Sequence, residues 1–404
     1  MATAQFEKSL AAIVVTVTAL SLGTSRADAD TFIQTNLVAD SDMLGLDATI
    51  TDPNLKNPWG MSHTGTSPFW SSNQATNTAT LYTVTGTPTN VSKVNINGTG
   101  FVAIVGGPTG QVANVNTASF PVGNGGDGKS AHFIFSNLNG TISAWDVQPS
   151  NAFVQVTTTG ASYTGLAINQ NQTQLYAANN AGAGGINVFN SSFGTVTLPG
   201  TPFVDPNPPA GLIPFNVQDI GGKVYVTYAP AGRTNQINAT PGMGAINVFD
   251  ENGVFQQRLV TGGQLAAPWG LALAPASFGQ FGGDLLVGNR SSVASEINAF
   301  DPTTGAFKGT IPIDIGSNTG AALWALIFGN GGNGGDPNTL YFTDGINFEA
   351  DGLFGAIQVV TPIPAALALF ATGLGALGLL GWRRKKAAAG LLTAHRGAIP
   401  VNIS

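Results

Sequence analysis

Residues 268–274 read PWGLALA, residues 284–290 DLLVGNR and residues 296–301 EINAFD. Each piece is short, rich in Leu, Val, Ile and Phe, and closed by Gly, Asn, Asp or Pro, which marks β-strands joined by tight turns. The same grammar recurs on both sides. Upstream stand PFNVQDI from Pro214, KVYVTYA from Lys223 and GAINVFD from Gly244, preceded by YTGLAI from Tyr163, QLYAANN from Gln174 and GGINVFN from Gly184. PWGM from Pro58, PFWSSNQ from Pro68 and TLYTV from Thr80 form an early copy. HFIFSN from His132 and GTISAWD from Gly140 form one with an indistinct start. LWALIFG from Leu323, TLYFTDG from Thr339 and GAIQVV from Gly355 form the last.

About six such modules at a spacing of about 50 residues predict a repeat architecture. A module of three or four short strands cannot bury its own faces. Packing twisted sheets radially buries both faces and leaves only short edges, so the expected fold is all-β, a propeller of about six four-stranded blades. Asp250-Glu251-Asn252-Gly253 and Asp301-Pro302-Thr303-Thr304-Gly305 follow apolar strands and read as outer hairpin turns. Closure of the ring needs a partner for the last sheet, and Thr31–Val38 is a spare strand expected to pair in the blade holding Gly355–Val360. Trp59, Trp269 and Trp324 recur at module starts and are expected to wedge between blades, with sugar stacking in the channel as the functional alternative.

Composition agrees. Of 404 residues 43% are hydrophobic and only 9% charged, and 54 glycines supply turns. No cysteine is present, so neither disulfides nor thiolate metal sites contribute. Residues 30–361 carry a net charge of −11, which excludes a phosphate backbone as partner.

The ends read differently. Lys8, the apolar run Leu10–Leu22 and the small residues leading to Ala27-Asp28-Ala29 match a secretory signal cut after Ala29. Ala365–Trp382 is uncharged and, at about 1.5 Å per residue, long enough to span a bilayer. Trp382 sits at an interfacial position, and Arg383, Arg384, Lys385 and Lys386 place the following tail in the cytoplasm. The expected organisation is signal peptide 1–29, propeller 30–361, sorting segment 362–386 and tail 387–404.

Pro362-Ile363-Pro364-Ala365, the apolar span and the basic cluster resemble the PEP-CTERM class of sorting signals, in the variant reading Val-Pro-Leu-Pro-Ala. Thr361 and Ile363 depart from that variant, and residues 387–404 run past its usual stop. The resemblance implies an exosortase-type sorting enzyme as partner and transient residence in the inner membrane. It also implies delivery to the cell surface or extracellular matrix; the expected ligand of the propeller there is a glycan such as an exopolysaccharide, a peptide or a matrix component. A plain membrane anchor is the alternative. QTNLVAD from Gln34, TDPNLKNPWGM from Thr51 and the PWGLA and INVFD phrases resemble an uncharacterised bacterial family of exported propeller-like proteins, and the modules are similar to NHL-type propellers; both imply fold alone.

No catalytic set emerges. His63 and His132 lack an obvious partner, His395 lies in the tail, and no HExxH or facial carboxylate set occurs. The glycine-rich loops 123–129 and 329–336 read as turns, with calcium as the alternative. Asn73, Asn179, Asn289 and Asp344 end corresponding strands. They read as Asx caps. By analogy with lactonase-like propeller hydrolases, Asn179, Asn289 and Asp344 are instead the first candidates to hold Ca2+ or another divalent cation. The expected function is a surface binding or structural module, with a metal-dependent hydrolase or lyase as the alternative.

Overall fold

The fold is seen in a computed structural model that describes residues 31–96 and 98–360, together with residues 374, 377–379, 381–383 and 385–386 of a helical stretch. The chain divides into a large unit, Phe32–Val359, and a smaller unit holding the residues on either side of it.

The large unit begins with β1 (Thr31–Ala39) and β2 (Ile50–Thr51). The first blade is β3 (Pro58–Ser62), β4 (Phe69–Asn73), β5 (Thr78–Val84) and β6 (Val91–Lys93), with β7 (Val102–Ala103) added against β5. The second is β8 (Pro108–Ala113), β9 (Phe133–Asn137), β10 (Thr141–Trp145) and β11 (Phe153–Thr157). The third is β12 (Tyr163–Ile168), β13 (Gln174–Asn179), β14 (Gly185–Asn190) and β15 (Thr195–Val196). The fourth is β16 (Leu212–Ile220), β17 (Lys223–Pro230), β18 (Ala245–Asp250) and β19 (Phe255–Thr261). The fifth is β20 (Pro268–Leu273), β21 (Leu285–Asn289), β22 (Glu296–Phe300) and β23 (Phe307–Pro312). The sixth, β24 (Leu323–Phe328), β25 (Leu340–Asp344) and β26 (Leu353–Val360), is finished by β1 beside β26 and β2 beside β1.

The first strand of each blade is innermost, and these six touch in cyclic order, β24 returning to β3. The protein is therefore a six-bladed β-propeller closed by its N-terminal strand. The second blade opens with Pro108-Thr109-Gly110-Gln111, where Thr and Gln replace the apolar residues of other copies and blur its start.

The Pro-Trp-Gly phrase has a geometric meaning. A Cβ on Gly60 would lie 2.4 Å from the Thr109 carbonyl oxygen, and one on Gly270 would lie 2.1 Å from that of Trp324. Glycine thus lets adjacent innermost strands approach. The tryptophans pack between blades as expected, Trp59 stacking on Trp324 of the neighbouring blade, and they do so at the axis. Trp59 contacts Phe215 of the fourth blade at 6.5 Å between centroids, and Trp269 Nε1 donates to Thr164 O of the third at 2.8 Å. Contacts between non-adjacent blades require the rings to meet on the axis.

The outer turns form as read. Asp250 Oδ1 accepts from Asn252 and Val254 N–H, Asp301 Oδ1 from Thr303 and Thr304 N–H, and Gly253 and Gly305 have φ of 77° and 71°.

The signal segment with Ala27 and Ala29, and Pro362, Pro364, Ala365 and Arg384 of the sorting segment, lie outside the described residues. Trp382, Arg383, Lys385 and Lys386 are helical and exposed, with Lys386 Nζ 4.3 Å from the Trp382 ring centroid. Among the described residues no helix is long and apolar enough to cross a membrane.

Candidate functional site at the propeller axis

The innermost strands begin at one face, here called upper, and end at the lower face. At the upper face each second strand ends opposite the start of its innermost strand: Asn73 pairs with Pro58, Asn137 with Pro108, Asn179 with Tyr163, Asn289 with Pro268 and Asp344 with Leu323. In three blades the side-chain Oδ1 accepts a backbone N–H of the incoming segment: Asn179 from Ser162 at 3.1 Å, Asn289 from Ala266 at 3.0 Å and Asp344 from Ala322 at 2.7 Å. Asn73 instead donates to Thr78 and Thr80 hydroxyls. Each of the three proposed metal ligands is thus engaged within its own blade. Among the described residues no group of three or more His, Asp or Glu is placed to hold a metal ion. The two glycine-rich loops are turns, Lys129 pairing with Asp127 in one and Asn330 Oδ1 accepting from Gly332 and Gly334 N–H in the other.

Asp344 differs from its asparagine counterparts in carrying a carboxyl group. Like Asn73, Asn137 and Asn289 it is fully buried, its Oδ2 has no hydrogen-bond partner in the protein, and burial pushes its pKa up to about 7 against the Ala322 amide.

The upper end of the axis is shut. Trp59 and Trp324 stack at 3.6 Å, with Trp269 edge-on to both and Phe215 alongside. Three charged residues cover these rings. Arg233 opens α1 (Arg233–Ile237) between β17 and β18, Arg290 follows Asn289, and Glu349 ends α2 (Ile346–Glu349) between β25 and β26. The Glu349 carboxylate pairs with Arg233 through Oε2 and with Arg290 through Oε1, and Oε2 also accepts from Asn57 Nδ2 at 3.3 Å. The Arg233 guanidinium lies 5.2 Å from the Trp59 ring and that of Arg290 5.4 Å from Trp324. Desolvation lowers the Arg233 pKa to about 10. Asn347, Phe348 and Glu349 have φ of 53°, 57° and 72°. Such left-handed backbone costs roughly 1–2 kcal/mol per non-glycine residue. Glu349 is held in place against that preference.

The lower end is open. Below the rings lies a cavity of about 210 Å³, walled by the later residues of the innermost strands. Its polar lining is Ser62, His63, Gln111, Asn216, Gln218 and Asp219, set between Met61, Val112, Leu166 and Val217, and it carries no Lys or Arg. Gln111 Nε2 donates to Gly60 O at 3.0 Å and to Trp70 O, Asn216 Nδ2 to Trp269 O at 2.7 Å, and both His63 ring nitrogens lie within 3.0 Å of a carbonyl oxygen. Three of these residues also have a side-chain atom buried within the protein and without a protein partner: Ser62 Oγ, Gln111 Oε1 and Asp219 Oδ2. Asp219 Oδ1 accepts from Gly222 N–H and Gln170 Nε2, while burial, with Glu251 nearby, holds the Asp219 pKa above its ordinary value. The cavity thus combines convergent polar side chains with apolar wall around one opening.

Of the residues at the two ends of the axis, the sequence singles out Trp59, Trp269, Trp324 and His63. Arg290 was reachable, since it occupies the register just past the repeated Asn. Ser62 and Asp219 lie toward the lower ends of β3 and β16, and Gln111 inside β8, where the repeated phrase carries no chemical signature.

No protein-family model matches the chain. It is similar to uncharacterized protein R648 of Acanthamoeba polyphaga mimivirus, 32% identical over 328 residues that span 77% of this chain and 76% of that protein. Uncharacterized protein L690 of the same virus is 29% identical over 324 residues, 76% of this chain and 81% of that protein. Uncharacterized protein R640 is 32% identical over 206 residues, covering 48% of this chain and 37% of its own length.

Proposed function

We propose, from the premise that the chain belongs to the family of the mimivirus protein R648, that it is an exported six-bladed propeller acting as a binding module, with its ligand seated in the lower axial cavity. The guest is a neutral, hydroxyl-rich group such as the terminal sugar of a glycan. The observation that carries this reading is the axial cavity of about 210 Å³, lined by Ser62, His63, Gln111, Gln218 and Asp219 among apolar residues. Among these residues the Gln218 amide and the Asp219 carboxylate supply acceptor oxygens, and sugar hydroxyls are donors that fit acceptors. The lack of Lys or Arg in the lining disfavours an anion, and Met61, Val112, Leu166 and Val217 offer apolar wall to a sugar's C–H face.

Export and surface residence rest on the termini. The segment ending at Ala29 supports secretion, and Pro362–Lys386 supports sorting by an exosortase-type enzyme after transient membrane residence, leaving the propeller at the cell surface or in the matrix. The mass of the protein recovered from cells tests this half: truncation near Pro364 is expected, and a chain lacking only residues 1–29 replaces sorting with a permanent anchor.

The binding half is tested by screening the purified full chain against neutral oligosaccharides. Saturable binding to at least one is expected, weakened about tenfold by Ser62→Ala or Asp219→Asn, each removing about one hydrogen bond of roughly 1–1.5 kcal/mol. Binding indifferent to both substitutions would move the site elsewhere.

A further inference from the structure

We propose that the upper face is a second binding site, specific for a carboxylate, built on Arg233 and Arg290 and held in this structure by the chain's own Glu349. It is independent of the lower-cavity reading, for it lies at the opposite end of the axis. Two guanidiniums face a single carboxylate there, so the cluster carries one unbalanced positive charge within a stretch whose net charge is −11. Arg290 is 1% exposed, and its Nε and Nη1 have no hydrogen-bond partner in the protein. A buried guanidinium with two idle N–H groups has capacity for a further acceptor, and its planar fork matches carboxylate geometry. The stacked Trp59 and Trp324 rings beneath exclude water from one side, which strengthens charge pairing.

Access and exchange are provided by the other two members. The Arg233 side chain is 41% exposed, so a ligand reaches the cluster from solvent. Glu349 stands on three consecutive left-handed residues, with Phe348 beside it 64% exposed. The strained turn makes Glu349 a displaceable occupant: an incoming carboxylate takes its place between the arginines, and the turn relaxes outward. No bond is made or broken; one carboxylate replaces another.

The test titrates the purified full chain with galacturonate, tri-galacturonate, the neutral galactose trimer and inorganic phosphate, following tryptophan emission and heat. Saturable binding of the carboxylates is expected, with phosphate at least tenfold weaker. Arg233→Gln is expected to weaken carboxylate binding at least tenfold, and Glu349→Gln, which removes the competitor's charge, to tighten it about tenfold. A trimer that binds more tightly than the monomer identifies an acidic polymer as the source; equal affinities identify a small free acid; both accord with the site. Absence of carboxylate binding, phosphate binding of equal strength, or affinity unmoved by E349Q would overturn it. Should R233Q not fold, Arg233→Lys keeps the charge without the fork; the same weakening is expected, and unchanged affinity rejects the proposal.

Discussion

The two ends of the axis are made by the same six strands yet are opposite in character. β3 supplies Trp59 to the closed upper end and Ser62 to the open lower one, three residues further along. Above, rings from four blades fill the axis to contact distance and charged groups cover them. Below, smaller aliphatic side chains leave about 210 Å³ with polar residues on its wall. In a propeller the repeated phrase serves closure, because every blade must meet the axis, and the residues just past the phrase are free to differ and therefore to recognise something.

The contrast is broken most severely from above. Trp59→Ala removes a fully buried ring stacked on Trp324 and a cation–π partner of Arg233, and about 3–5 kcal/mol of stability is expected to go with it. Equilibrium denaturation measures this. Met61→Ala, at the mouth of the cavity, is expected to cost about 2 kcal/mol, the low end of the range for such truncations, because open volume already lies beside it. Equal losses from the two would mean that the ends are packed alike.

Asp344 sharpens the comparison through pH. Its folded-state pKa of about 7 stands above the ordinary 3.8, so between those values the folded chain binds a proton that the unfolded chain has released. The stabilisation is complete below 3.8, is lost as pH rises toward about 7, and the loss levels off above, reaching roughly 4 kcal/mol at most. Asp344→Asn keeps the Oδ1 that accepts from Ala322, as Asn179 and Asn289 do in their blades, and is expected to flatten this slope and raise stability at pH 8. Asp40, Asp219 and Asp284 are also held above their ordinary value by burial, so a shallower slope of the same sign remains. An unchanged pH profile in D344N would place the titration elsewhere.

Much of this architecture is legible in the chain because propeller blades are local: each strand pairs with its sequence neighbour, so short alternating phrases and turn residues suffice. The closing strand Thr31–Val38 was legible for the same reason, as a strand without a module. The Pro108 start was not, since Thr109 and Gln111 break the apolar pattern while still making the strand. The tryptophans are legible as contacts between blades, whereas their meeting on the axis is not, because a repeat fixes which positions are equivalent and not whether they face the axis. Arg233, Arg290 and Glu349 come together from loops far apart in sequence, and no local spacing records such meetings. The three that local spacing did select, Asn179, Asn289 and Asp344, repeat because each must receive the incoming innermost strand.

Two positions on β8 test the asymmetry of the axis most directly in a chain without cysteine. Thr109 is fully buried toward the upper end, and Ala113 is half-buried on the cavity wall. A single cysteine at each is to be alkylated with iodoacetamide in the native full-length protein. Ala113→Cys is expected to react and to be protected by a saturating neutral oligosaccharide, while Thr109→Cys stays unmodified until the protein is unfolded. Rapid alkylation of T109C, or an A113C that is inert, would contradict an axis closed above and open below.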